Sequence, residues 1–345
     1  MRVGIAFSGT PFSADVVAEL VRYAERRGFH SAWFAEDYFL RDAITMMSLC
    51  AAHTKKIKIG TGIINPYTRH PILIAETIAT LDEASRGRAF LALGTGVGPL
   101  IEQMGISFTK PLKAISEGVQ IIRNALAGGE VFFDGEVFKV RGVRLGSNPY
   151  LEPLGEFKPR RRAVPIYIAA IGPRMLQLAG RLGDGVLLTA GCAAQYVRNM
   201  VVENVAKGAE ESGRNTKDID ITAYLLTSVE PTAAEKHILK LFIAFELSYA
   251  SPEYLKASEA DETLAESVRS TLQSEGLAAA AAKIDDETLR RFTAYGKPRE
   301  IGERIREYIE AGLKTPSILP IAKQPQRVKR VIDVVAREAI GGRRR

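Results

Sequence analysis

The feature that most constrains this chain is a repeat. An apolar strand is followed by a helix-patterned segment eight times in order. Strands read at 2–7, 31–35, 57–64, 87–93, 165–170, 185–189, 219–228 and 317–321. Helices read at 14–27, 42–53, 71–84, 112–126, 174–182, 194–213, 298–311 and 325–339. Gly28 stops the first helix, and Pro71 stands at the first position of the third. Such alternation predicts a (β/α)8 TIM barrel. The competing arrangement is a doubly wound sheet with a helical second domain. No long linker divides the chain, and no fresh dinucleotide fingerprint opens its second half. One domain over 1–340 is therefore expected, with a disordered basic tail at 341–345.

Two insertions interrupt the repeat. VFFDGEVFKV at 131–140 alternates around Asp134-Gly135, a hairpin signal, and a loop rich in Gly, Pro and Arg follows to 163. Residues 231–292, after the seventh strand, are patterned as helices and include an alanine run at 278–282. Acids outnumber bases over 230–292, so the net charge of +7 resides elsewhere in the chain. That charge serves solubility or an anionic ligand. Nucleic acid is not expected, because no binding motif accompanies it. No apolar run reaches the ~18–20 residues of a membrane span, and the first strand is too short for a signal peptide. Cys50 and Cys192 stand far apart, and the four histidines lack ligand spacing. A cytoplasmic protein without a disulfide framework or metal site is expected.

The stretch RAFLALGTGVGP, 88–99, runs a strand into Gly94, Gly96 and Gly98. The third glycine is one residue early for G-x-G-x-x-G, and the loop follows the fourth strand rather than the first. A dinucleotide loop is thus disfavoured. In a barrel this loop lies on the C-terminal face, where active sites form. Two readings remain on position alone: glycines admitting a flat ring, or a tight turn without a ligand.

Three segments carry a resemblance: GTGIINPYTRHP at 60–71, TIATLDEASRGRAFLALGTG at 77–96 and AAIGPRMLQLAGRLGDGVLL at 169–188. Together they resemble the luciferase-like flavin and deazaflavin superfamily. NPYTRHP followed by ATLDEASRGR is most similar to the methylenetetrahydromethanopterin reductases, which use the deazaflavin coenzyme F420. The resemblance spans nearly the whole chain and is weakest over 141–163 and 231–292.

It implies several site residues. A bulge with a non-proline cis peptide would support the deazaflavin ring, at Gly62-Ile63. Asn65 would be a short neutral donor to the cofactor, beside Gly94, Thr95 and Gly96. The loop Ala170-Ile171-Gly172 and Arg174 would hold the cofactor phosphate. The helix start supports this independently, since Pro173 lacks an N–H and Gly172 and Arg174 would supply the amides. Glu36 and Asp37 stand where relatives commonly have Asp-His. Loss of that histidine argues against alcohol or sugar-phosphate oxidation, and leaves Glu36 as the acid at the barrel mouth. As a surface carboxylate, Glu36 would instead pair with Arg41. Asp37 and Tyr67 are the expected substrate contacts. Val97-Gly98-Pro99 departs from the acidic residues that relatives carry there. Lys158, Arg160, Arg161 and Arg162 would either hold an acidic cofactor tail or form a solvated loop. The implied reaction is hydride transfer between reduced F420 and a methylene-tetrahydropterin, in a dimer or tetramer. The alternatives are an FMN-dependent monooxygenase, an F420-dependent reductase of another substrate, and a non-catalytic flavin binder.

Overall fold

The computed structural model describes every residue except 10, 152–156 and 342–345. The expected basic tail therefore lies, beyond Gly341, outside the described residues. Eight parallel strands close into a barrel: β1 (Gly4–Phe7), β2 (Ser31–Phe34), β3 (Lys58–Thr61), β4 (Ala89–Leu93), β7 (Ile166–Ala169), β8 (Gly185–Leu188), β9 (Asp220–Val229) and β11 (Ser317–Pro320). The hydrogen-bonded order is β11-β1-β2-β3-β4-β7-β8, and β9 closes the ring by pairing with both β8 and β11. Closure excludes the doubly wound alternative, because an open sheet keeps two free edges.

Around the ring lie α1 (Ala14–Arg26), α2 (Ala43–His53), α3 (Pro71–Ala84), α5 (Pro111–Leu126) and α6 (Pro173–Leu182). Next comes α7 (Ala194–Tyr196), which continues through a π-helical turn (Val197–Val201) into α8 (Val202–Glu211). The ring is completed by α14 (Pro298–Ala311) and α15 (Pro325–Val335). Each start is readable in the chain. Asp42 accepts from the Thr45 amide at the head of α2, and His70 Nδ1 accepts from the Ile72 amide at the head of α3. The barrel interior centres on Trp33, packed against Phe90, Tyr167 and Tyr224.

The insertions fall where the sequence puts them, with differences in detail. The hairpin pairs β5 (Glu130–Asp134) with β6 (Lys139–Arg144). Asp134-Gly135 is not a two-residue turn. The Glu117 carboxylate, from α5, accepts the amides of Glu136, Val137 and Phe138 and so stretches the connection. A Cβ on Gly135 would lie 2.3 Å from Glu117 Oε2. Residues 231–292 hold α9 (Ala233–Tyr249), α10 (Pro252–Ala257), α11 (Glu262–Glu275), α12 (Leu277–Ala282) and α13 (Asp286–Phe292). Two elements escape the sequence reading: the short helix α4 (Gly98–Gln103) and β10 (Ala294–Gly296), which pairs with the end of β9. Both are too short for a periodic signal.

The N-terminal floor of the barrel is densely bonded. Arg88 donates to the carbonyls of Ala51, Thr54, Ile57 and Ser85. Buried Asp82 is gripped through both oxygens by Arg161, which also donates to Ala89 O. Arg160 lies beside Gly87. Arg160 and Arg161 thus sit at the start of β4, on the face opposite the barrel mouth. Of the four basic residues of this loop, Arg161 is neither solvated nor free for an acidic tail, because Asp82 and Ala89 O hold it.

Candidate active site

At the strand C-termini the barrel opens into a cavity of about 540 Å³. Its wall is the backbone and short side chains of the strand ends: Gly62-Ile63 after β3, Gly94–Val97 after β4, and Ala169–Ile171 after β7. Leu187–Ala190 at the end of β8, together with Phe108 and Pro111, extend the apolar surface. The lining is mostly apolar with a few polar groups, the usual character of a small-molecule site.

The Gly62-Ile63 peptide is cis, as the resemblance implies. The surrounding bulge is well satisfied. The Gly62 amide donates to Phe34 O at 2.7 Å, and the Glu36 amide to Ile63 O at 3.0 Å. Tyr224, from β9 across the barrel, donates its hydroxyl to Gly62 O at 2.9 Å. A Cβ on Gly62 would lie 1.5 Å from that oxygen. Glycine at 62 is therefore required by the phenol beneath it.

Glu36 lines the cavity at the end of β2. Burial raises its pKa above the ordinary carboxylate value, against the opposing effect of a hydrogen bond from Asn65. That bond, Asn65 Nδ2 to Glu36 Oε2, is 3.0 Å long. Asn65 itself is fully buried and does not line the cavity. Its Oδ1 accepts the amides of Tyr67 and Thr68, which fixes the direction of the amide. Nδ2 is thereby aimed at Glu36, the Tyr38 hydroxyl and Thr68 Oγ1. The expectation of a direct cofactor donor is corrected: Asn65 orients the acid.

Asp37 and Tyr67, the expected substrate contacts, stand beside the cavity and do not line it. Asp37 accepts from Ser8 Oγ at 2.8 Å and from the Gly9 amide, tying the loop after β1 to the loop after β2. Tyr67 stacks 5.0 Å from Phe108 and donates to Thr109 O at 2.7 Å. It thus secures the segment that brings Phe108 and Pro111 over the cavity.

Tyr38 is a polar lining residue that sequence reasoning missed. Its pKa is pushed up to about 12, mainly by burial, so it stays protonated. Gly96, at φ +73°, makes room for it: a Cβ there would lie 2.1 Å from the Tyr38 hydroxyl. This resolves the glycine loop. Gly96 accommodates a tyrosine, whereas a Cβ on Gly94 would crowd Ala169 and Ile63. The signal was present in the sequence, because Tyr38 follows Glu36 by two residues at a strand end. The ends of β8 were equally readable from the barrel rule.

Ala170 and Ile171 line the cavity, and Ile171 O accepts from buried Tyr196. Gly172 and Arg174 lie outside the lining, exposed at the start of α6. A Cβ on Gly172 would meet no atom within 4 Å, so the helix start faces open space. A ten-residue helix presenting its first amides there suits an anion.

The chain is 35% identical over 298 residues to the 5,10-methylenetetrahydromethanopterin reductase of Archaeoglobus fulgidus, covering 85% of this chain and 86% of that one. It is 32% identical to the enzyme of the same name from Methanolobus tindarius, covering 94% and 95%. The solved structure of the coenzyme F420-dependent tetrahydromethanopterin reductase from Methanopyrus kandleri superposes with a TM-score of 0.82 at 27% identity, over 99% of both chains. Residues 1–315 match the family model of the luciferase-like monooxygenases, and the chain belongs to that family.

Proposed function

We propose that this protein is an F420-dependent oxidoreductase that moves a hydride between the reduced deazaflavin and a methylene-tetrahydropterin. The observation that carries the reading is the pairing of a wide apolar cavity with a half-buried acid, Glu36, held by Asn65. The names of the relatives point to the same chemistry.

The residues present fit the cofactor. The bulge at Gly62-Ile63, with Gly94, Thr95 and Gly96 beside it, offers a flat wall free of long side chains. Ala170 and Ile171 continue that wall, and Gly172 and Arg174 would hold a phosphate at the open helix start. When bound, reduced F420 supplies a hydride. The chain supplies position, dryness and protons. Apolar Phe108, Pro111, Leu187 and Leu188 keep water from the reacting faces. Opening the methylene bridge needs a proton on the departing nitrogen. Glu36 holds that proton, because burial keeps its carboxyl neutral to higher pH. The Tyr38 hydroxyl stands beside it as a second donor. The apolar top of the cavity leaves room for a pterin to stack.

We further propose a cytoplasmic homo-oligomer, a dimer or tetramer. Two free, buried cysteines suit a reducing compartment. Exposed Leu73 on α3 is an apolar group that a partner subunit would cover.

The test is reconstitution with F420 and with FMN, followed by an anaerobic assay with methylene-tetrahydromethanopterin. Tight binding of F420 and oxidation of its reduced form by the pterin are expected. Binding of FMN alone, with reoxidation in air, would overturn the reading in favour of a monooxygenase.

A further inference from the structure

Hydride loss from a reduced deazaflavin leaves one ring-nitrogen proton without an owner. Glu36, once it has given its proton to the pterin, is a carboxylate able to take one back, so the turnover balances with either that group or another as the acceptor. A second carboxyl on the other side of the mouth would give the released proton a separate exit.

The arc of the cavity wall from β7 to β8 contains Ala169, Ala170, Ile171, Leu187, Leu188, Thr189 and Ala190. Thr189 is the only polar side chain among them. Its hydroxyl donates to Glu246 Oε2 at 3.0 Å. Glu246 comes from α9, in the helical insertion that covers this side of the mouth. Among the described residues no cation pairs with it, and Thr189 is its one hydrogen-bond partner. β8 stands four strands from β2 in either direction around the ring. Thr189 and Glu246 are therefore diametrically across the mouth from Glu36.

We infer that Thr189 and Glu246 form a proton relay that accepts the ring-nitrogen proton released when the hydride leaves, an inference that rests on the function proposed above. The N–H bond breaks and its electron pair stays in the ring. Thr189 Oγ1 takes that proton while passing its own to Glu246 Oε2. Two electrons leave with the hydride, so the step balances without any further oxidant. Thr189 touches the cavity. Glu246 acts through it, as a positioning and proton-storing residue.

The electrostatics of the site suit this role. Burial raises the Glu246 pKa to about 7, opposed by the Thr189 hydrogen bond. The ionisable groups facing it are the Cys192 thiol, after β8, and the Tyr254 hydroxyl, on α10. Burial pushes Cys192 up to about 12 and Tyr254 well above its ordinary value, and Arg304 on α14 acts on Cys192. Both stay neutral near pH 7, so Glu246 alone of this group changes charge there.

The experiment has two readouts. The first is carboxyl infrared titration of the protein without cofactor. A band titrating near pH 7 should be present in the wild type and missing in Glu246→Gln. The second is the pH profile of kcat with reduced F420 and methylene-tetrahydromethanopterin. A proton acceptor must be ionised, so the wild-type rate should rise with pH along an acidic limb. Glu246→Gln should lower kcat by about tenfold or more and abolish that limb, with F420 affinity within about twofold. Thr189→Val, which cuts the connection and keeps the shape, should do the same if Glu246→Gln fails to fold. An unchanged kcat and limb in either folded variant, or a wild-type protein lacking the band, overturns the relay. A wild type that turns over normally while the variants match it sinks the relay alone. A wild type that does not bind F420 sinks the proposed function and the relay together.

Discussion

The two ends of the barrel treat their charges in opposite ways. At the floor, Asp82 is buried but gripped by Arg161 through both oxygens, and Arg88 satisfies four carbonyls. At the mouth, Glu36 has one amide donor and Glu246 one hydroxyl. Burial raises both mouth carboxyls, outweighing the Asn65 hydrogen bond and the pull of Arg69 at Glu36 and the Thr189 hydrogen bond at Glu246. The floor uses charge to join loops. The mouth keeps carboxyls that hold their protons to higher pH than an exposed carboxylate does. The division follows the general rule that barrel strands end in function and begin in stability.

Substitution can break this contrast. The largest effect is expected at the floor. Asp82→Ala leaves Arg161 unpaired and should cost about 3 kcal/mol in urea unfolding, with kcat of the folded fraction within about twofold. Equal losses of stability and turnover would erase the distinction. Glu36→Gln should behave in the reverse manner. Its turnover should fall by ~10²-fold or more, while its urea midpoint at pH 7 does not fall. Gly96→Ala should lower kcat about tenfold by displacing the Tyr38 hydroxyl. An unperturbed rate would show that Tyr38 has no part in the chemistry.

The pH dependence of stability sharpens the contrast further. The folded pKa of Glu246 is about 7, above its ordinary 4.5. Below about 4.5 both folded and unfolded chains hold the proton. Above that, ionisation is harder in the folded state, so stability falls as pH rises through about 7. Glu246→Gln should therefore melt a few degrees above the wild type at pH 8 and together with it at pH 4. A constant difference across this range would refute the assignment. The smallest effect is expected from Arg160→Ala and Arg162→Ala combined. Affinity for F420 bearing a polyglutamate tail should change by less than about twofold, because Arg160 lies at the floor.

The repeat of strand and helix made the barrel legible, because its period survives without knowledge of partners. Gly62, Gly94, Gly96, Ala170 and Ile171, which line the cavity, were legible through the family resemblance; strand-end position alone left the glycine loop open between a ligand wall and a plain turn. Asn65, Asp37 and Tyr67 were located, but their partners were not legible. Each lies beside the cavity, yet its polar atoms are consumed by local backbone or by a neighbouring side chain. Sequence spacing does not reveal which way an amide points once two N–H groups hold its oxygen. Arg161 was left open between an acidic-tail site and a solvated loop because its partner Asp82 lies 79 residues away. Glu246 was invisible because a carboxylate in a helical run reads as a solvated face until the helix is docked on Thr189.

Gly62 and Tyr224 are 162 residues apart in the chain, and one atom cannot be added to the first without striking the second. The two positions are thus bound as an evolutionary unit. A descendant that acquired any side chain at 62 would first have to surrender the phenol at 224, and with it the brace under that wall of the cavity.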